Sequence, residues 1–157
     1  MKTDQPHLAL FLKISAWLTG FEEVELQGTG MVATYYATLT SNNTPENADF
    51  FFAEVAAIFT RTDCEPEATN AAIATGLMPN SCYNNMAKQI ILMWYTGQWF
   101  ADPSSTSASS NTINAQSYIQ ALMWPAADTH PPGAKQPGYG SWAKPPISVS
   151  SNAALAT

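Results

Sequence analysis

The chain has 157 residues, enough for one domain with a modest core and short for two. Only 11% of its residues are charged while 46% are apolar; an average soluble protein has about 25% charged residues, so a surface this sparsely charged is expected to be covered in part by a partner. A net charge of −6 and six unclustered Lys and Arg argue against nucleic acid and anionic membrane surfaces, and no apolar run approaches the roughly 20 residues of a membrane span.

Met1-Lys2-Thr3-Asp4-Gln5-Pro6 has no charged region leading into an apolar stretch and cleavage site, so export is expected by other means or after removal of a leader. Pro6 to Thr19 is apolar on all sides, at Leu8, Leu10, Phe11, Leu12, Ile14, Trp17 and Leu18, and Gly20 stands where a helix stops. This predicts a mostly buried first helix. A second is predicted over about Gln27 to Leu39, with Gly28 and Gly30 near its start. Thr44-Pro45-Glu46 combines an N-cap, Pro at the first helical position and an acid in the first turn, ahead of Ala48, Phe51, Phe52, Val55, Ile58 and Phe59 at helical spacing. Glu65-Pro66-Glu67 opens a short Ala-rich helix that Gly76 ends. After Asn80 or Ser81 the positions Tyr83, Met86, Ala87, Ile90, Ile91, Met93 and Trp94 share one face, up to a stop at Gly97.

Asp102 to Thr112, rich in Ser, Thr, Ala and Asn with no apolar period, is expected to be a solvated loop. A last short helix follows over about Asn114 to Met123. The fold class expected is all-α: a compact bundle of about five to six helices over 6–123, an extended Pro/Gly/aromatic strap over 124–147, and a fraying terminus over 148–157.

The strap reads as too rich in Pro and Gly for a helix or a central strand, yet it carries Trp124, Tyr139 and Trp142. Burying one such ring is worth at most about 4–6 kcal/mol, and the prolines lower the entropy lost on ordering. Such a segment should lie on a surface, its own or a partner's.

Candidates for chemistry are few. His7, His130, Cys64 and Cys82 have no metal-ligand spacing, and Asp128, His130 and Ser141 lack the rigid frame of a catalytic triad. Gly28-Thr29-Gly30 follows no strand and precedes no Lys, so tight helix packing is expected in place of a phosphate loop. Glu22, Glu23 and Glu25 read as a solvated loop between helices. No catalytic, cofactor-binding or metal residue is assigned. A disulfide between Cys64 and Cys82 stays open: with the helices from Pro66 and Ser81 as a simple antiparallel pair the two lie about 15 Å apart, and they meet only if residues 76–80 run back along the shorter one.

Three blocks taken together resemble a family. Leu10 to Gly20 (LFLKISAWLTG), Ile90 to Gly97 (IILMWYTG), and Ala121 to Trp124 (ALMW) with Pro137 to Pro145 (PGYGSWAKP) are similar, in order and spacing over about 8–147, to the small subunit of bacterial membrane-bound FAD-dependent sugar and polyol dehydrogenases, as in sorbitol, fructose and glucose dehydrogenase complexes. The resemblance implies a noncatalytic, cofactor-free, periplasmic chain that supports maturation, export and stability of a large FAD-containing catalytic subunit. That partner sometimes has an iron–sulfur cluster, and a cytochrome c subunit with haem c often takes the electrons. The family's twin-arginine leader is absent here, and His130-Pro131-Pro132-Gly133 stands where some relatives have a tail Cys, which puts an intersubunit disulfide in doubt. Trp124, Pro132, Tyr139, Trp142 and Pro145 are the expected contacts with the large subunit. The alternatives are a stand-alone carbohydrate- or peptide-binding module and a small enzyme.

Overall fold

The computed structural model describes residues 4–105 and 107–132. The helices are α1 (Asp4–Thr19), α2 (Glu23–Gly28), α3 (Val32–Ser41), α4 (Pro45–Thr62), α5 (Pro66–Gly76), α6 (Ser81–Thr96), α7 (Ala115–Ile119) and α8 (Met123–Ala126), with strands β1 (Gln98–Phe100) and β2 (Ser110–Thr112) between α6 and α7. The all-α class is therefore observed, with a small antiparallel hairpin added: Gln98 pairs with Thr112, Trp99 with Asn111 and Phe100 with Ser110.

Local chemistry explains where the long helices begin and end. The Thr44 hydroxyl accepts the Asn47 N–H at 3.3 Å, ahead of Pro45. The Asn80 side chain accepts from the N–H groups of Cys82 and Tyr83, which satisfies two of the donors that the start of α6 leaves without a helical partner. Gly20 and Gly97 close α1 and α6 with φ of +78° and +69°. At Gly97 the demand is double, because a Cβ there would also collide with the backbone carbonyl of Ser117.

The core lies where α1, α3, α4 and α6 meet. The predicted faces of α4 and α6 are the buried ones, with Ala48, Phe51, Phe52, Val55, Ile58 and Phe59 on one and Met86, Ala87, Ile90, Met93 and Trp94 on the other; Ile91 is half-buried. Rings join the layers: Trp94 stacks on Phe11 and meets Tyr35 edge to face, centroids 6.5 and 4.8 Å away. α5 packs on α4 through a buried hydroxyl pair, Thr69 to Thr62 at 2.9 Å.

Four expectations are corrected. Residues 27–39 are not one helix: Gly28 ends α2, Thr29-Gly30 turn with φ +71° at Gly30, and α3 begins at Val32. Glu22, Glu23 and Glu25 are not a plain loop, because Glu22 and Glu25 form the capping box of α2, where the Glu25 carboxylate accepts the Glu22 N–H at 2.8 Å. Residues 110–112 of the expected loop are a strand. The last helix is split in two, and the second part carries Trp124 and Pro125 into one helical turn, since Pro fits the early positions of a helix where no N–H is needed.

Candidate partner-binding surface

Leu10 to Gly20, Ile90 to Gly97 and Ala121 to Trp124, the described parts of the three blocks that carry the resemblance, touch one another in the fold. The Tyr95 hydroxyl donates to the Thr19 carbonyl at 2.8 Å, joining the end of α6 to the end of α1. The Leu122 N–H donates to the Trp94 carbonyl at 2.9 Å, joining the third block to the second. Behind them Phe11 of α1 lies against Trp94.

Of the five expected contact residues, two are described. Trp124 is half-buried on its own chain: its indole N–H donates to the Tyr118 carbonyl at 2.7 Å, and the two rings meet edge to face with centroids 5.3 Å apart. Held in this way, its orientation is set by α7 before any partner arrives. Pro132 is exposed, next to a buried Pro131, and its carbonyl accepts from the Tyr118 hydroxyl at 3.5 Å. Tyr139, Trp142 and Pro145 lie outside the described residues, as does Ser141.

Charge is unevenly placed. Glu46, Asp49, Glu54, Arg61, Asp63, Glu65 and Glu67 lie between the start of α4 and the first turn of α5, whereas the segments 26–45, 68–87, 89–101 and 103–127 contain no Asp, Glu, Lys or Arg. The first and the last two of these uncharged segments are neighbours in space, for α3 and α7 both pack on α6, and α7 packs on β2. Their outward residues include Ala33, Ala37, Ser41, Ser110, Asn111, Thr112, Pro125 and Ala126. The chain leaves the described domain on this uncharged side, at Pro132.

Cys64 and Cys82 stand as free, half-buried thiols. Tyr83 lies against Phe51, ring centroids 6.1 Å apart, whereas Cys64 follows the end of α4 at Thr62. Phe51 and Thr62 are about 16 Å apart along the helix at 1.5 Å per residue, beyond the roughly 7 Å that a disulfide tolerates between Cα atoms. With α5 packed on α4, the two thiols stand unpaired in this structure.

Sequence reasoning missed a groove of about 490 Å³ between α1 and the α2–α3 turn, lined by Leu8, Ala9, Leu12, Gln27, Gly30, Val32 and Ala33. It exists because Gly30 turns the chain back and sets α3 beside α1. The Gly-Thr-Gly spacing was the available signal. Among the described residues no cluster of His, Cys, Asp and Glu could hold a metal ion, and no helix is long and apolar enough to cross a membrane. Among the described residues the strongly perturbed group is Tyr35, whose hydroxyl is pushed well above the usual phenol range by burial.

The fold defines an all-helical domain with one hairpin. No family model, curated protein or solved structure matches this chain.

Proposed function

We propose that this chain is the noncatalytic small subunit of a periplasmic FAD-dependent sugar or polyol dehydrogenase complex, supporting maturation, export and stability of a flavoprotein catalytic subunit. The observation that carries the reading is a surface without charge: residues 26–45, 89–101 and 103–127 hold no Asp, Glu, Lys or Arg, and α3 and α7, which belong to them, both pack on α6. A surface of small, uncharged residues is cheap to desolvate against a partner. Trp124, pre-oriented by Tyr118, and the aromatics beyond Pro132 supply the anchors that dominate binding energy at interfaces.

The test is co-purification. A tagged full chain expressed in its native cells should carry a yellow partner of several hundred residues with a flavin spectrum. A chain ending at Pro132 keeps every contact described above and should lose that partner at least tenfold. Undiminished co-purification overturns the role of the tail; a full chain that stays monomeric and binds free sugar overturns the small-subunit reading.

A further inference from the structure

We infer that the outer edge of β2, at Ser110 and Thr112, is where an extended, uncharged segment of the flavoprotein adds a third strand to the hairpin. This deepens the small-subunit reading and rests on it.

The pairing of the hairpin fixes which backbone groups face outward. In an antiparallel ladder, opposed residues alternate between pairs that exchange hydrogen bonds and pairs that do not. The Ala101 N–H donates to the Ser109 carbonyl at 2.9 Å and the Ile113 N–H to the Gly97 carbonyl at 3.1 Å, so the bonded positions are 97 with 113, 99 with 111 and 101 with 109. Gln98 opposite Thr112 and Phe100 opposite Ser110 are the pairs between them. Their N–H and C=O groups therefore point away from the opposing strand, out of the edges of the sheet.

The fold deals with the two edges differently. On the β1 side, Gln89 of α6 takes up both backbone groups of Phe100, donating to its carbonyl and accepting its N–H at 3.4 Å. On the β2 side, the backbone groups of Ser110 and Thr112 have no hydrogen-bond partner among the described residues, and both residues are exposed. Such an edge is a template for a further strand. Natural edges are commonly guarded by charged residues or Pro, and residues 104–124 contain neither.

What the edge selects follows from what it offers. Backbone donors and acceptors recognise backbone, so the incoming segment is extended, with its own N–H and C=O groups free. The side chains beside it, Ser110, Asn111 and Thr112, are polar and uncharged, and residues 103–127 give a charged segment no counter-ion. β2 has three residues, so the edge sets the register of a contact whose area comes from the rest of the uncharged surface, with which it is continuous through α7 packing on β2.

A proline in the full chain tests the edge, because the Thr112 N–H points outward and its removal leaves the Trp99–Asn111 pairing in place. Thr112→Pro should lower the amount of co-purified flavoprotein at least tenfold, whereas Thr112→Val, which keeps the N–H, should match the parent. In the unaltered complex, the amides of Ser110 and Thr112 should exchange at least tenfold more slowly than in the free chain, with Phe100 unchanged. Undiminished recovery with Thr112→Pro, equal loss with Thr112→Val, or unchanged exchange at Ser110 and Thr112 in a complex that does form overturns this inference and leaves the small-subunit reading standing. Protection that rises with the concentration of the chain alone assigns the edge to a second copy and overturns it as well. A chain that brings down no flavoprotein overturns the small-subunit reading itself, and the added strand with it.

Discussion

The half of the molecule before Gly97 and the part after it are held by different physics. In the first half, long helices bury continuous apolar faces, and the joints are rings: Phe51 against Phe52, Phe11 against Trp94, Trp17 against Phe59. After Gly97 the segments are three to five residues long, too short to be stable alone, and single polar contacts hold them. The Gln89 side-chain amide grips Phe100 on both backbone groups, donating to its carbonyl and accepting its N–H, and so caps the free edge of β1. The Ser117 hydroxyl donates to the Gly97 carbonyl at 2.8 Å, and the Ile113 N–H reaches the same carbonyl at 3.1 Å. An aromatic core tolerates small displacements because many contacts share the load; a region hung on a few hydrogen bonds fails locally when one is lost.

That contrast can be broken at four places. Phe51→Ala empties a fully buried site in the first half and should cost about 3–5 kcal/mol of global stability, read as a lower denaturation midpoint with unchanged cooperativity. Gly97→Ala sits at the boundary, where a Cβ meets both an unfavourable φ and the Ser117 carbonyl; it should cost about 2–4 kcal/mol and detach α7 from α6. Amide exchange in residues 114–122 should rise before the rest of the molecule unfolds. Gln89→Ala should cost about 1–3 kcal/mol, with faster exchange confined to the hairpin; equal acceleration in α4 would mean the two regions are one cooperative unit.

The smallest effect is expected at Tyr35. Its folded-state ionisation is raised, so the stability it supports is complete below the usual phenol range near pH 10 and declines above it, where the unfolded chain releases the proton first, by about 1.4 kcal/mol per pH unit. Tyr35→Phe should change stability at pH 7 by no more than about 1 kcal/mol, because the bond it loses to Ser117 is long at 3.5 Å. Alkaline unfolding of the variant should be shallower than that of the parent; identical alkaline profiles would show that Tyr35 is already solvated.

How much of this was legible follows the same division. Thr44-Pro45-Glu46, Gly20 and Gly97 announce helix ends through caps and positive φ, and the faces of α4 and α6 follow from the 3.6-residue period alone. The hairpin was not legible. Gln-Trp-Phe has two strand-favouring rings but is only three residues long, Ser-Asn-Thr has no alternation, and the amide of Gln89, eleven residues before Phe100, that holds the hairpin to α6 lies outside either segment. Nor was the break at Gly28-Thr29-Gly30, where a glycine fits tight packing and a turn equally well until α3 is seen lying beside α1. At the candidate surface, the aromatic strap and the sparse charge were readable, but Trp124 as part of a helical turn braced by Tyr118 was not.

Sequence alone determined the helical class, the ends of the long helices and the buried faces of α4 and α6, because each depends on residues within a turn or two of one another. Tertiary structure decided the rest. Only packing could place Cys64 and Cys82 apart along α4, bring the uncharged segments of α3 and α7 together around α6, and open a groove between α1 and the α2–α3 turn, for those relations join residues that have no local reason to meet.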